Sequence, residues 1–220
     1  MIRAYVFGIS GKMGQIVAHT LPDDFTLSGC ANSTRMDESP SDVIIDFSSA
    51  AATGKVTALA DKLGCPLVIA TTGQTQADNQ LISDCAKRHA VLKSGNMSIG
   101  INLMQKACAL LKDVGRCEII ETHHAKKKDA PSGTALMLKA VSGAKEIHSV
   151  RLGSVVGEHK VIFGLDDETI TITHTANDRR LFALGALKAA RWLINQPHGL
   201  YSFDDFLSSK KHPSLFHSER

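Results

Sequence analysis

Nowhere in the 220 residues is there an apolar run approaching the roughly 18 residues that a membrane-spanning helix needs. The start, MIRAYVFGISGKMG, runs directly into a glycine-rich turn and offers no signal-cleavage pattern, so a soluble, cytoplasmic protein is expected, with no membrane partner. Aromatic residues are scarce, at 5% of the chain with a single tryptophan, so aliphatic side chains must build most of the core. No CxxC pair occurs. The five cysteines (Cys30, Cys65, Cys85, Cys108 and Cys117) are odd in number and widely spaced, which argues against a disulfide framework and for reduced core thiols. A formal charge of +3 is too small and too dispersed for a nucleic-acid partner. What remains is an ordinary globular composition, 43% hydrophobic and 21% charged, long enough for one sizeable core or two small ones.

Strands and helices alternate through the first half of the chain. Apolar stretches at 2–9, 25–31, 43–47, 67–70 and 90–93 read as strands, and helical patterns follow at 13–21, 50–63 and 76–89. Strands that are almost wholly apolar and separated by helices imply a parallel sheet covered on both faces. From Asn96 the pattern changes. Helices are expected at 99–112 and 134–141, and strands at 117–122, 147–152, 160–163 and 169–175, the last three without helices between them. The fold class predicted is α/β: an N-terminal Rossmann-like parallel-sheet domain plus a smaller α+β domain with a mixed, open sheet. We assign residues 1–97 to the first, completed by the helix at 182–195 and the residues to about 207, and residues 98–180 to the second. Residues 208–220 are polar and aperiodic and are expected to be a disordered tail.

Two segments carry chemistry. The first, Gly8-Ile9-Ser10-Gly11-Lys12-Met13-Gly14, follows the first strand and opens the first helix. Glycines there let backbone approach a pyrophosphate, and the helix start favours its charge. Where an acidic residue would select the ribose hydroxyls of NAD, the chain has Asn32-Ser33-Thr34-Arg35, which suits a 2′-phosphate better. Arg35 reads equally well as a solvated loop residue. Ala70-Thr71-Thr72 and Ser94-Gly95-Asn96-Met97 stand at the carboxyl ends of the fourth and fifth strands, where such sheets bind their ligands, although ordinary turn chemistry would also place them there.

The second is Glu118–Ala135, EIIETHHAKKKDAPSGTA, with two histidines, three lysines and a proline-serine-glycine helix start. Ser132 as N-cap would leave the Gly133 and Thr134 N–H groups free at a positive helix end, a seat for a carboxylate. A lysine adds charge and a histidine adds a group that titrates near neutrality. His123 and His124 are adjacent in a strand and point to opposite sides, so they do not suit one metal ion. Ser132 lacks a nucleophile elbow and reads as a cap. By itself a lysine run is more often a solvated loop; its flanks favour a site.

ETHHAKKKDAPSGTA resembles the signature E-x-H-H-x-x-K-x-D-A-P-S-G-T-A of the 4-hydroxy-tetrahydrodipicolinate reductases. GISGKMG, IDFS (45–48), ATTG (70–73), GNMSIGIN (95–102) and VRLGSVVGEH (150–159) are similar to that family's pattern in the same order, and cover nearly the whole chain. The resemblance implies an oxidoreductase of diaminopimelate and lysine biosynthesis, using NADPH and/or NADH on a small dicarboxylate, and a homotetramer. It implies His123 as acid/base residue, Lys127 as proton donor, His124 as a substrate contact, and Gly133 with Thr134 as a carboxylate clamp. It also implies that Gly8 to Met13, Ala70 to Thr72 and Ser94 to Met97 hold the cofactor. The chain is shorter than the usual member, between residues 33 and 42 and between 141 and 147, and Met97 stands where an aromatic residue is common. A different Rossmann reductase acting on an amino-acid-derived acid, and a catalytically silent nucleotide sensor, are the competing readings.

Overall fold

A computed structural model describes residues 1–209. Six parallel strands form the first sheet, in the order β10-β5-β4-β3-β1-β2. These are β1 (Ile2–Phe7), β2 (Phe25–Ala31), β3 (Val43–Asp46), β4 (Leu67–Ile69), β5 (Ala90–Lys93) and β10 (Gly199–Tyr201). β3 and β4 carry no exposed residue, because helices cover both faces. On one side α1 (Lys12–His19) and α6 (Arg180–Leu193) enclose Val6, Val43, Ile45, Val68, Leu187 and Trp192. On the other, α2 (Thr53–Leu63) and α3 (Gln76–Ala86) enclose Tyr5, Ile44, Leu67, Ile69 and Ile82. A single 3-10 turn, Ala50–Ala52, precedes α2. Strand order reverses beside β1, which places a crevice at the carboxyl ends of β1 and β3.

The second sheet has the order β7-β6-β8-β9, with β6 (Arg116–His123), β7 (Glu146–Arg151), β8 (Gly157–Gly164) and β9 (Thr169–Ala176). β6 and β7 are parallel and the other pairs antiparallel, so the sheet is mixed, as expected from strands that follow without helices between them. Period-two alternation along β6 and β8 buries Cys117, Ile119, Val161 and Phe163 against α4 (Ile99–Leu110) and α5 (Gly133–Ser142).

Three expectations shift. The first strand stops at Phe7, because Gly8 turns the chain with a φ of 90°. α6 runs into a short strand, β10, and a last helix, α7 (Phe203–Ser208), neither of which was expected. Ser208, placed in the tail by the sequence, instead lies in α7 and accepts a hydrogen bond from Lys106 Nζ at 2.8 Å; residues 210–220 lie outside the described set. Among the described residues, no helix is long and apolar enough to cross a membrane.

Candidate active site

The glycine turn packs too tightly for side chains. A Cβ on Gly14 would lie 2.1 Å from the Gly8 carbonyl oxygen, and one on Gly8 would lie 2.9 Å from backbone of Phe47 and Ser48. Backbone N–H groups at the start of α1 therefore stay accessible to a phosphate. Around them opens a groove of about 390 Å³ lined by Gly8, Ser10, Gly11, Asn32, Ser33, Ser48, Ser49 and Lys55. Among the described residues no carboxylate lines it. Ile9 and Met13 pack their side chains on the core and are not part of the lining, while Lys12 lines a neighbouring cleft with His19, Arg179 and Arg180. Arg35 is exposed and pairs with Asp37 at 2.8 Å; it is not part of the lining. Lys55 is, and nothing in the sequence pointed to it.

At the end of β3, Asp46 is buried and accepts Ser48 N–H (2.9 Å) and Thr71 Oγ1–H (2.8 Å). Burial pushes its carboxyl above the ordinary range, against those hydrogen bonds. It ties Thr71 of the ATTG stretch to the β3 loop, while Ala70 is half-buried and Thr72 exposed. Ser94 Oγ–H donates to the Asn96 carbonyl, and Asn96 Nδ2–H donates to Thr134 Oγ1 at 2.9 Å. A Cβ on Gly95 would touch the sulfur of Met137 in α5 at 3.4 Å. Met97 is buried in the first core, and a Cβ on Gly185 of α6 would strike its carbonyl oxygen at 1.8 Å. The residues expected on the cofactor side thus meet the helix that opens the second site.

That helix starts as the sequence predicts. Ser132 is the N-cap and its Oγ accepts Ala135 N–H at 3.2 Å. The N–H groups of Gly133 and Thr134 have no partner among the described residues, and nothing lies within 4 Å of where a Cβ on Gly133 would be. This is an open, positively biased seat for a carboxylate. Lys127, in the loop before it, is bound by both carboxylate oxygens of Asp129 at 2.8 Å. His124 is half-buried, and its carbonyl oxygen accepts Lys127 N–H at 3.0 Å.

His123 ends β6 on its buried face. Its Nδ1 is hydrogen-bonded to Glu121 Oε2, and its ring meets that of His159 edge to face at 5.1 Å between centroids. Burial holds the His123 pKa below its ordinary value, partly offset by Glu121. Glu121 is fully buried, and burial pushes its carboxyl up, but hydrogen bonds led by Arg151 outweigh this and hold it low. His159 is 4% exposed and burial drives its pKa to about 4; its Nε2 is 3.1 Å from Ser132 Oγ. Glu121, Arg151 and His159 lie inside the family-like segments ETHHAKKKDAPSGTA and VRLGSVVGEH, but the sequence reading gave none of them a role. Glu121 could have been found by parity, two residues before His123 on the same strand face, whereas His159 arrives only through the pairing of Glu121 with His159 between β6 and β8.

Two family descriptions match consecutive parts of the chain: "Dihydrodipicolinate reductase, N-terminus" over residues 24–97 and "Dihydrodipicolinate reductase, C-terminus" over 96–207. The chain belongs to the dihydrodipicolinate reductase family. It is 41% identical over 213 residues to the 4-hydroxy-tetrahydrodipicolinate reductase of Thermosipho africanus, covering 94% of this chain and 98% of that protein, and 41% identical over 238 residues to that of Rickettsia bellii, covering 94% of each. The Thermosipho relative fits nearly whole into 213 aligned residues, so it is as short as this dihydrodipicolinate reductase homologue. In fold, the chain is similar to a dipicolinate-bound dihydrodipicolinate reductase from Paenisporosarcina sp. TG-14, at a TM-score of 0.77 and 24% identity over 92% of this chain and 97% of that one. An aspartate semialdehyde dehydrogenase of Vibrio cholerae shares the fold at 0.53 and 11% identity over 88% and 98%, which carries no shared chemistry. Burial pushes the Cys65 thiol to about 12 and those of Cys85 and Cys108 to about 11, and it also raises Cys30 and Cys117, which disfavours the thiolate at all five.

Proposed function

We propose that this chain reduces 4-hydroxy-tetrahydrodipicolinate, by way of dihydrodipicolinate, to tetrahydrodipicolinate in diaminopimelate and lysine biosynthesis. The observation that carries the reading is the junction of two anion seats: the Asn96 to Thr134 hydrogen bond at 2.9 Å joins the strand ends of a dinucleotide-binding sheet to a helix start with two free N–H groups. Bound reduced nicotinamide supplies the hydride. Gly133 and Thr134 N–H hold one substrate carboxylate, His124 contacts the substrate, Lys127 furnishes the proton and His123 serves acid/base exchange beside it. We take residues 1–97 with about 181–207 as the dinucleotide unit and 98–180 as the substrate unit.

The Gly8 to Met13 turn would hold the pyrophosphate of the dinucleotide, and Ala70 to Thr72 and Ser94 to Met97 would hold the rest of it. A groove with no carboxylate and with Lys55 as its cation accepts a 2′-phosphate, so NADPH is used, alongside NADH. Five unpaired cysteines fit a reducing cytoplasm. The sheet face of β6, β7 and β8 that α4 and α5 leave open carries Ile120, Val150 and Ile162, and self-association of that face builds the homotetramer.

Dipicolinate, a planar dicarboxylate, tests the clamp. Gly133→Pro removes one N–H at the first helical position, where proline's backbone fits and Ser132, at φ −68° and ψ 151°, already has the conformation that precedes proline. Calorimetry should show dipicolinate binding weakened about 10-fold or more, as for a lost hydrogen bond to a charged group, with stability retained. Unchanged affinity would remove the helix start from the substrate site.

A further inference from the structure

Two buried groups and one half-buried group in the histidine region have no part in the chemistry above: Glu121 and His159, and Arg151. Glu121 cannot be an isolated structural charge, since it has no solvent exposure and a lone carboxylate there would not stay ionised. Arg151 neutralises it with two hydrogen bonds, Nη2 to Oε1 at 2.7 Å and Nη1 to Oε2 at 3.0 Å. The Asp129 and Val150 carbonyls hold the same guanidinium at 2.6 and 2.8 Å. An ion pair that served only stability would end there. Instead, beyond Ser149 on the neighbouring strand, which also hydrogen-bonds the carboxylate, each of its oxygens reaches one further group. Oε2 accepts from Nδ1 of His123, and Oε1 accepts the Ser132 backbone N–H at 3.3 Å.

Those two groups belong to different halves of the substrate site. His123 carries the exchangeable proton, and Ser132 caps the helix whose N–H groups hold the carboxylate. A carboxylate on Nδ1 requires the proton there in both charge states of the ring, because an unprotonated Nδ1 would turn a lone pair toward an anion. Exchange is then confined to Nε2. That nitrogen has no hydrogen-bond partner among the described residues and is not one of the sealed, unpartnered atoms. Gly157 leaves it room, since a Cβ there would lie 3.0 Å from Nε2.

Resting on the acid/base role given above to His123, we propose that Glu121 is the positioning residue of the reaction. Its carboxylate, set by Arg151, fixes the His123 proton on Nδ1, leaves Nε2 as the exchanging atom, and through Ser132 N–H sets that atom against the carboxylate seat. In the step, Lys127 Nζ gives a proton to the substrate, the Nε2–H bond of the imidazolium breaks as that proton forms a new N–H bond on Lys127 Nζ, and the neutral ring keeps Nδ1–H. Besides Glu121, the charged and titratable groups facing the ring are Arg151 from β7, His159 from β8, and Lys127 with Asp129 from the loop.

Two measurements test this. In wild-type protein with 15N-labelled histidine, the neutral His123 ring should carry its proton on Nδ1; an Nε2–H tautomer would overturn the proposal and needs neither turnover nor a variant. In Glu121→Gln, the amide must present a donor where Arg151, His123 and Ser132 N–H all donate. kcat should fall on the order of 100-fold, as for lost orienting partners, with the KM for NADPH within a few-fold. The kcat/KM limb due to His123 should move to lower pH, because the anion that favours the imidazolium is gone. A purely structural carboxylate would lower the folded fraction and leave the limb in place, and that outcome refutes the positioning role. Wild-type protein with no reductase activity would count against the proposed function itself, while the tautomer measurement would still decide on Glu121.

Discussion

Acidification should weaken the fold through His159 by an amount the structure sets. Its ring is sealed at 4% exposure beneath the start of α5. Ser132 Oγ accepts Ala135 N–H, so its hydroxyl proton is free to donate to His159 Nε2, which makes the neutral ring the form that fits. Burial, reinforced by charge on His123, lowers its pKa from 6.5 to about 4. The unfolded chain therefore binds a proton near pH 6.5 that the folded chain refuses until about pH 4. Stability from this group is complete above 6.5 and is lost as the pH falls toward 4. At about 1.4 kcal/mol per pH unit of separation, the loss is about 2 kcal/mol at pH 5 and about 3 kcal/mol at pH 4. His159→Gln keeps a group able to hydrogen-bond Ser132 and does not titrate. Urea unfolding at pH 7 and pH 5 should show the variant losing about 2 kcal/mol less than wild type between them. Equal losses in the two proteins would refute the assignment of a buried, neutral His159.

Lys127→Ala should lower kcat by about 10²- to 10⁴-fold, the span of a lost proton donor, and leave NADPH affinity within a few-fold in a fluorescence titration. Loss of cofactor binding in that variant would move Lys127 to the cofactor side. Lys55→Gln should raise the KM for NADPH several-fold and leave that for NADH unchanged, because only NADPH carries the 2′-phosphate. Parallel increases for both cofactors would take Lys55 out of the discrimination.

Sequence patterns captured what short-range physics decides. The glycine turn at Gly8 to Gly14 and the Ser132 cap are local, and both stand where spacing put them. The parallel and mixed sheets followed from whether helices separate the strands. The last strand was missed because Gly199-Leu200-Tyr201 is three residues long and gains its place only by pairing with Ala90–Leu92. The helix after it was legible: Ser202 and Asp205 form a reciprocal capping box, a pattern present in SFDD. Arg35 was chosen for its charge, but Asp37 two residues on takes its guanidinium, while Lys55 reaches the groove from α2. The cluster of Glu121, Arg151 and His159 depends on the register of three strands, which alternation in any one of them does not encode.

The most direct test of the account follows the reduced-nicotinamide absorbance with purified protein, NADPH or NADH, and substrate made in situ from pyruvate and aspartate semialdehyde by a dihydrodipicolinate synthase. The account predicts oxidation that requires the synthase and both of its substrates. Cofactor that binds but is not oxidised when the synthase product is present would contradict it, and would mark the chain as a nucleotide-binding relative that no longer reduces this substrate.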